Sequence, residues 1–175
     1  MVEGASDEAL LKQWQSPLES WDSDQGDQFL TNPVYREALV DYLEERGAIL
    51  DASVKTDVFV VEQACAYPEL DGRDVEPGTR HVWIGGGNGD PVAYLRVLAE
   101  ADGSHRIGRV ATRTDRRGGG LAGRLVDHVV ASTPGRLVLD AQSQLEDWYL
   151  AKGFVRTGDE FTEDGIPHVP MAWGD

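Results

Sequence analysis

Three consecutive glycines beside basic residues form the segment of this chain whose residue types best suit an anion. The glycines at 118–120 follow Arg117 and precede an apolar run. Because they carry no side chains, their backbone N–H groups can approach a ligand closely. Apolar residues spaced four apart from Leu121 predict a helix over 120–131, whose positive dipole end would face the same point. Such a loop favours the binding of phosphate. The alternative interpretation is that the glycines form a plain surface turn.

The residues around this loop distinguish three kinds of phosphate site. A P-loop requires Lys and then Ser or Thr after its last glycine, and Leu121 stands there instead. A dinucleotide fingerprint can be fitted to 118–123, but this stretch lies late in the chain and lacks repeated parallel units. The run from Arg117 to Ala122 resembles the R-x-x-G-x-G/A loop with which GCN5-related N-acetyltransferases (the GNAT superfamily) hold the pyrophosphate of acetyl-CoA.

Composition restricts the class of protein. The chain has 175 residues, of which 41% are hydrophobic, and this favours a sizeable core. Its formal net charge of −15 argues against nucleic acid and anionic membranes as partners and would attract a cationic amine, although solubility explains it equally well. The single cysteine excludes an internal disulfide, and no apolar run reaches the ~18 residues of a membrane helix. We therefore expect a cytoplasmic protein.

The remaining sequence predicts the elements that must position the loop. Residues 1–32 are acidic and polar, and we expect a loop or partly disordered tail over 19–28. The dipeptide Asp164-Gly165 predicts a hairpin turn, and Pro167 and Pro170 predict that the strand after it lies at the edge of a sheet. Apolar periodicity predicts strands over 80–86, 91–100, 106–112 and 136–142, and helices over 33–46, 51–67, 120–131 and 143–154.

This order of elements predicts an α/β fold with a mixed central sheet flanked by helices. It resembles the GNAT fold, in which the early strands are antiparallel and the fourth and fifth strands are parallel and splayed. The stretch "DWYLAKGF" is similar to that family's Tyr-x-x-x-Gly-Phe signature. The blocks "VFVVEQACAYPELDGRD", "TRHVW", "IGRVAT", "LDAQ" and "EDGIPHVPM" resemble the ElaA-like branch over residues 54–173. We therefore predict an N-terminal extension over 1–45 and a GNAT domain over 46–175.

The resemblance implies an acetyl-CoA-dependent N-acetyltransferase that acylates a primary amine, small or peptidyl, by direct transfer in a ternary complex. Acetyl-CoA would be the co-substrate, and no metal is implied. Tyr149 would protonate the leaving thiolate, while Glu62 and His168 would face the amine. The residues expected to hold acetyl-CoA are Val110, Ala111, Thr112, Arg117, Gly118, Gly119, Gly120, Leu121, Ala122, Gly123 and Gln142.

Each assignment has an alternative in the residues themselves. Tyr149 adjoins other aromatic residues and could serve only for packing. Glu62 could lie on a solvated helix face, and His168 could make a structural hydrogen bond. At the level of function, an acyl-homoserine-lactone synthase-like enzyme and a non-catalytic CoA-binding protein are the alternatives. The chain could be a monomer or a homodimer.

Overall fold

A computed structural model of the chain describes residues 11–15, 72–86 and 91–174. The helices predicted over 33–46 and 51–67, together with Glu62, lie outside these residues. The described part forms one mixed sheet of eight strands, in the order β1-β2-β3-β4-β5-β8-β6, with β7 also pairing with β8. The strands are β1 (Leu11–Gln15), β2 (Arg80–Gly85), β3 (Pro91–Ala99), β4 (His105–Thr112), β5 (Leu137–Gln142), β6 (Val155–Arg156), β7 (Phe161–Glu163) and β8 (Ile166–Trp173).

Two α-helices and three short 3₁₀ turns join these strands. They are α1 (Leu121–Ser132), α2 (Glu146–Leu150), and the turns Gly72–Val75, Thr114–Arg116 and Ser143–Leu145. The apolar stripe of α1 packs against one face of the sheet, where alternate residues of the strands present apolar side chains. Leu125, Val126 and Val129 are buried there, while Leu121 and Val130 are partly buried. The described helices are too short and too polar to cross a membrane.

The opposite face of the sheet carries buried polar groups. The Arg96 guanidinium meets the Asp74 carboxylate at 2.8 Å, and both side chains are almost completely buried. His81 bridges the Asp74 carbonyl at 2.9 Å and the Tyr94 hydroxyl at 2.7 Å. These contacts hold the turn at Gly72–Val75 against β2 and β3.

The parallel pair β4 and β5 separates soon after it forms. Only His105 with Leu137 and Arg106 with Val138 are paired between the two strands. Beyond them β4 bulges, and Arg109 adopts a left-handed φ of 55°. A bulge bends its strand, so the carboxyl ends of β4 and β5 diverge. This confirms the predicted mixed sheet with parallel, splayed fourth and fifth strands.

The loop or partly disordered tail expected over 19–28 lies outside the described residues, but an earlier segment forms a strand that the sequence pattern does not predict. Residues 11–15 form the edge strand β1, antiparallel to β2 over five residue pairs. The apolar residues Leu11 and Trp14 stand three apart, which is not the alternation that marks a strand. The pairing with β2 thus depends on the tertiary fold.

The predicted hairpin is confirmed, but the prediction that its second strand lies at an edge is wrong. β8 lies between β5 on one side and β6 and β7 on the other. Each proline is tolerated because pairing is interrupted on one of its two sides: Pro167 pairs only with Thr162 of β7, and Pro170 only with Asp140 of β5. Pro167 lies beyond the end of β5, and Pro170 lies between the last β7 partner, His168, and the first β6 partner, Met171. The Pro170 carbonyl still accepts a hydrogen bond from Thr157 N–H at 2.9 Å.

Candidate active site

The divergence of β4 and β5 opens a cleft of about 620 Å³. Its walls come from the two splayed strands, the start of α1, the helix α2 and the hairpin of β7 and β8. Residues from the predicted site that line it are Val110, Ala111, Thr112, Ala122, Gln142, Tyr149 and His168. The fold therefore brings together the end of β4, the end of β5 and the predicted chemical groups.

The glycine loop leads directly into α1 and is exposed. Gly118 and Gly120 have left-handed φ angles of 78° and 73°, and Gly120 is the N-cap of the helix. Added Cβ atoms at these two positions would meet nothing within 4 Å, so the space in front of the loop is open. Ala122, in the first turn of α1, lines the cleft. The positive end of a 12-residue helix is thus available to an anion beside the cleft.

Basic side chains surround this loop. Arg117 donates from Nε to the Thr112 carbonyl at 3.1 Å, which ties the loop to the end of β4. Asp115, the only acidic residue between 103 and 126, is held by two hydrogen bonds of 2.7 Å from Arg113. These hydrogen bonds lower the pKa of Asp115. The local charge is therefore positive in a strongly acidic protein, and this favours an anionic ligand.

Two strand ends supply polar groups to the cleft. Thr112 has its buried Oγ1 atom without a hydrogen-bond partner among the described residues, and the side chain belongs to the cleft wall. Gln142 ends β5, and its Oε1 atom accepts a hydrogen bond from the Gln144 amide at 3.0 Å. A ligand lying between the strands would meet both groups.

Among the predicted cofactor-binding residues that do not line the cleft, Leu121 and Gly123 pack against other side chains. Gly123 is buried inside α1, where an added Cβ would stand 3.1 Å from Lys152 Nζ and 3.7 Å from a carbon of the Trp148 ring. Leu121 is half-buried and packs against the core. The arrangement gives both positions a packing role, and their contact with acetyl-CoA stays a prediction.

Tyr149 lies in α2 with only 5% of its surface exposed. Its ring makes edge contacts with Trp148 at 4.7 Å and with Phe154 at 5.6 Å between ring centroids. Burial raises the pKa of the Tyr149 phenol to about 12. The phenol therefore stays protonated at neutral pH, and Tyr149 belongs to the residues that line the cleft.

His168 faces the cleft from β8 and has a defined tautomer. Its Nδ1 atom lies 2.8 Å from the Ile166 carbonyl oxygen. Since a carbonyl can only accept, Nδ1 carries the hydrogen, and the neutral ring leaves its lone pair on Nε2. The ring is stacked on Phe161 at 5.9 Å, which restrains its orientation. His168 can therefore make its structural hydrogen bond through Nδ1 and still present Nε2 as a proton acceptor.

Sequence reasoning missed a chain of ion pairs across the closed end of the cleft. Arg106 bonds to Glu100 at 2.9 Å and to Asp140 at 2.5 Å, and thereby links β4 to β5 just past their last pair. Arg73 reaches Glu100 at 3.3 Å. Burial alone would raise the pKa of Glu100, but the hydrogen bonds from both arginines outweigh it and lower the pKa. Charged residues inside predicted strands were the signal that could have identified them.

Comparison with known proteins agrees with this architecture. The model of the acetyltransferase (GNAT) domain family matches residues 41–174. A UPF0039 protein of Mycobacterium bovis is 48% identical over 135 residues, covering 74% of this chain and 85% of the relative. Protein ElaA of Escherichia coli is 38% identical over 122 residues, covering 66% of this chain and 79% of the relative.

A solved structure supports the same relationship. The crystal structure of an acyl-CoA N-acyltransferase from Pseudomonas aeruginosa superposes with a TM-score of 0.65 at 35% identity, covering 75% of this chain and 91% of that one. The chain belongs to the GNAT acetyltransferase family, in its ElaA-like branch.

Proposed function

We propose that this protein is an N-acetyltransferase that transfers the acetyl group of acetyl-CoA directly to a primary amine, small or peptidyl. The carrying observation is the cleft itself, which lies beside a basic glycine loop at a helix N-terminus and is lined by Tyr149. We further propose that residues 46–175 form the GNAT domain, that the protein is cytoplasmic, and that it is a monomer or a homodimer.

The chain offers donor groups that suit acetyl-CoA. The loop of Arg117 and the glycines 118–120 would hold the pyrophosphate, because its N–H groups are unobstructed by side chains. The backbone of Val110, Ala111 and Thr112 would hold the pantetheine arm, with Gln142 opposite. The unpartnered Thr112 Oγ1 atom supports a polar ligand in this position. Acetyl-CoA supplies an activated thioester, so the chain needs no covalent nucleophile.

Proton transfer is the chemistry left to the protein. The Nε2 atom of His168 would accept a proton from the ammonium form of the acceptor, which leaves a nucleophilic amine. As the bond between carbonyl carbon and sulfur breaks, the Tyr149 hydroxyl would give its proton to the sulfur. The second proton lost by the nitrogen restores the phenol, so one proton is released for each acetyl group transferred. We also propose that Glu62 contacts the amine.

The test is a combined binding and turnover measurement on the purified chain. Acetyl-CoA should bind in calorimetry, and thiol should be released only when a primary amine from a mixed panel is added. An acyl-carrier-protein thioester serves as the competing donor. Turnover with that donor alone would favour the synthase-like enzyme, and CoA binding without thiol release from any amine would favour a non-catalytic protein.

A further inference from the structure

Lys152 lies between the two helices that border the cleft. Its Nζ atom contacts both carboxylate oxygens of Asp127 in α1, at 2.8 and 2.7 Å. It also donates to the Gly123 carbonyl at 3.4 Å. The same ammonium lies 5.8 Å from the centroid of the Trp148 ring, in α2. One cation therefore joins α1 to an aromatic residue of α2.

The contact continues to the proposed acid. Trp148 meets Tyr149 edge-on, with ring centroids 4.7 Å apart. The helix that carries both residues has only five residues, Glu146–Leu150, which is too short to be stable without tertiary contacts. The position of the Tyr149 hydroxyl consequently depends on what holds α2 from outside.

Gly123 makes this arrangement sterically feasible. A Cβ atom there would come within 3.1 Å of Lys152 Nζ, closer than side-chain carbons normally approach. A side chain there would force the ammonium to shift by a few tenths of an ångström. The glycine in the first turn of α1 thus provides the space for the cation.

We propose that Lys152 is a positioning residue that, held by Asp127, fixes the Trp148 ring and through it the hydroxyl of Tyr149 at the cleft. The proposal rests on the proposed function for the consequence in catalysis. The placement of Tyr149 itself can be measured without turnover.

The experiment compares Lys152→Met, Lys152→Arg and a matched control in the full chain. Arg156→Met is the control, because Arg156 also forms an ion pair with α2, to Glu146 at 3.3 Å, but does not contact Trp148. We expect Lys152→Met to lower kcat about 5- to 10-fold with the KM for acetyl-CoA unchanged, as a misplaced acid should. Lys152→Arg should restore at least half of kcat, and Arg156→Met should leave it unchanged.

Two further measurements separate positioning from general damage. In a Tyr149→Phe background, Lys152→Met should change kcat less than about twofold. The hydroxyl through which Lys152 acts is already absent there, so the effects of the two substitutions should not add. The second measurement uses protein labelled with 3-fluorotyrosine. The ¹⁹F resonance of residue 149 is the one that is absent from the spectrum of Tyr149→Phe. This resonance should shift in Lys152→Met and not in Arg156→Met. If no amine supports turnover, the proposed function fails and the ¹⁹F signal alone decides the placement. An unmoved signal, or equal losses of kcat in both backgrounds, would overturn the positioning role.

Discussion

Gln142 and His168 lie directly opposite each other as the last residue pair that joins β5 to β8. Directly after Gln142 the chain turns into Ser143–Leu145 and then α2, which carries Tyr149. The end of β5 therefore positions two groups in different ways. It holds His168 by strand pairing, and it holds Tyr149 because the chain runs from β5 directly into the turn and helix that carry this residue. Both line one cleft although 19 residues separate them in sequence.

The tautomer of His168 leads to a paired substitution. His168→Asn keeps an N–H donor for the Ile166 carbonyl but has no basic nitrogen, whereas His168→Ala has neither. We expect both variants to lower kcat/KM for the amine at least ~10-fold, because a positioned base contributes ~100- to 10,000-fold and water replaces it in part. Steady-state kinetics with varied amine should show this while calorimetry shows unchanged affinity for acetyl-CoA.

Chemical rescue provides the control for this substitution. Added imidazole should restore part of the turnover of His168→Ala and leave the wild type unaffected. Full activity in His168→Asn would mean that the ring serves only its hydrogen bond to β8.

The hydroxyl of Tyr149 can be removed without removing the ring. Tyr149→Phe retains the edge contacts with Trp148 and Phe154, so stability and acetyl-CoA affinity should stay near the wild-type values. We expect kcat to fall at least ~10-fold, because a positioned acid contributes ~100- to 10,000-fold and water replaces it in part. Thiol release under saturating substrates measures this. Unchanged turnover would indicate that another group protonates the thiolate.

The pKa of Tyr149 predicts a pH dependence. Because burial raises it to about 12, ionisation of the phenol should reduce kcat only in strongly alkaline solution. The ordinary value is about 10, so the unfolded chain loses this proton first as the pH rises. The stabilisation linked to Tyr149 is complete below about pH 10 and is lost as the pH rises towards 12.

Denaturant unfolding of the wild type and Tyr149→Phe measures this linkage. The difference between their unfolding free energies should be constant from neutral pH to about pH 10 and change above it. A difference already changing near neutral pH would contradict a buried, protonated phenol.

The glycine loop is best tested at Gly119. Substitution of Gly120 is strained in any case, since its φ is 73°, whereas an added Cβ at Gly119 would meet only the Arg116 carbonyl, at 3.8 Å. Gly119→Val should therefore fold and weaken acetyl-CoA binding at least ~10-fold, by blocking close approach of the phosphate to the loop. Thr114→Val, an exposed position before the loop, is the control. Equal affinities in calorimetry would remove the loop from the binding site.

Removal of residues 1–29 tests the role of β1. The deletion exposes the edge of β2 and removes the backbone hydrogen bonds between β1 and β2. Each of these bonds contributes a net stabilisation of about 1 kcal/mol, so the unfolding free energy should fall. The cleft should retain its affinity for acetyl-CoA, because β2 and β3 separate β1 from β4. Thermal melting and calorimetry on the truncated chain measure the two effects. A folded truncation that no longer binds acetyl-CoA would assign these residues to the site.

The sequence by itself determined the elements whose local signals are strong. Periodic apolar residues predicted β2 to β5 and α1 within about two residues of their observed ends. Asp164-Gly165 predicted the hairpin, in which Phe161 pairs with His168. The glycine loop was recognisable because anion binding requires a short stretch of adjacent residues.

Contacts between distant segments were decided only by the tertiary structure. The pairing of β1, the interior position of β8 and the place of Lys152 over Trp148 have no local sequence signal. Charged residues within the predicted strands were a signal for an ion pair, but only the tertiary structure shows that Arg106 pairs with Asp140. Gly123 illustrates the difference: its neighbours in sequence assigned it to the phosphate loop, whereas its neighbours in space are Lys152 and Trp148. Local pattern determines which face of an element is apolar, but packing of whole elements against one another decides which polar side chains meet.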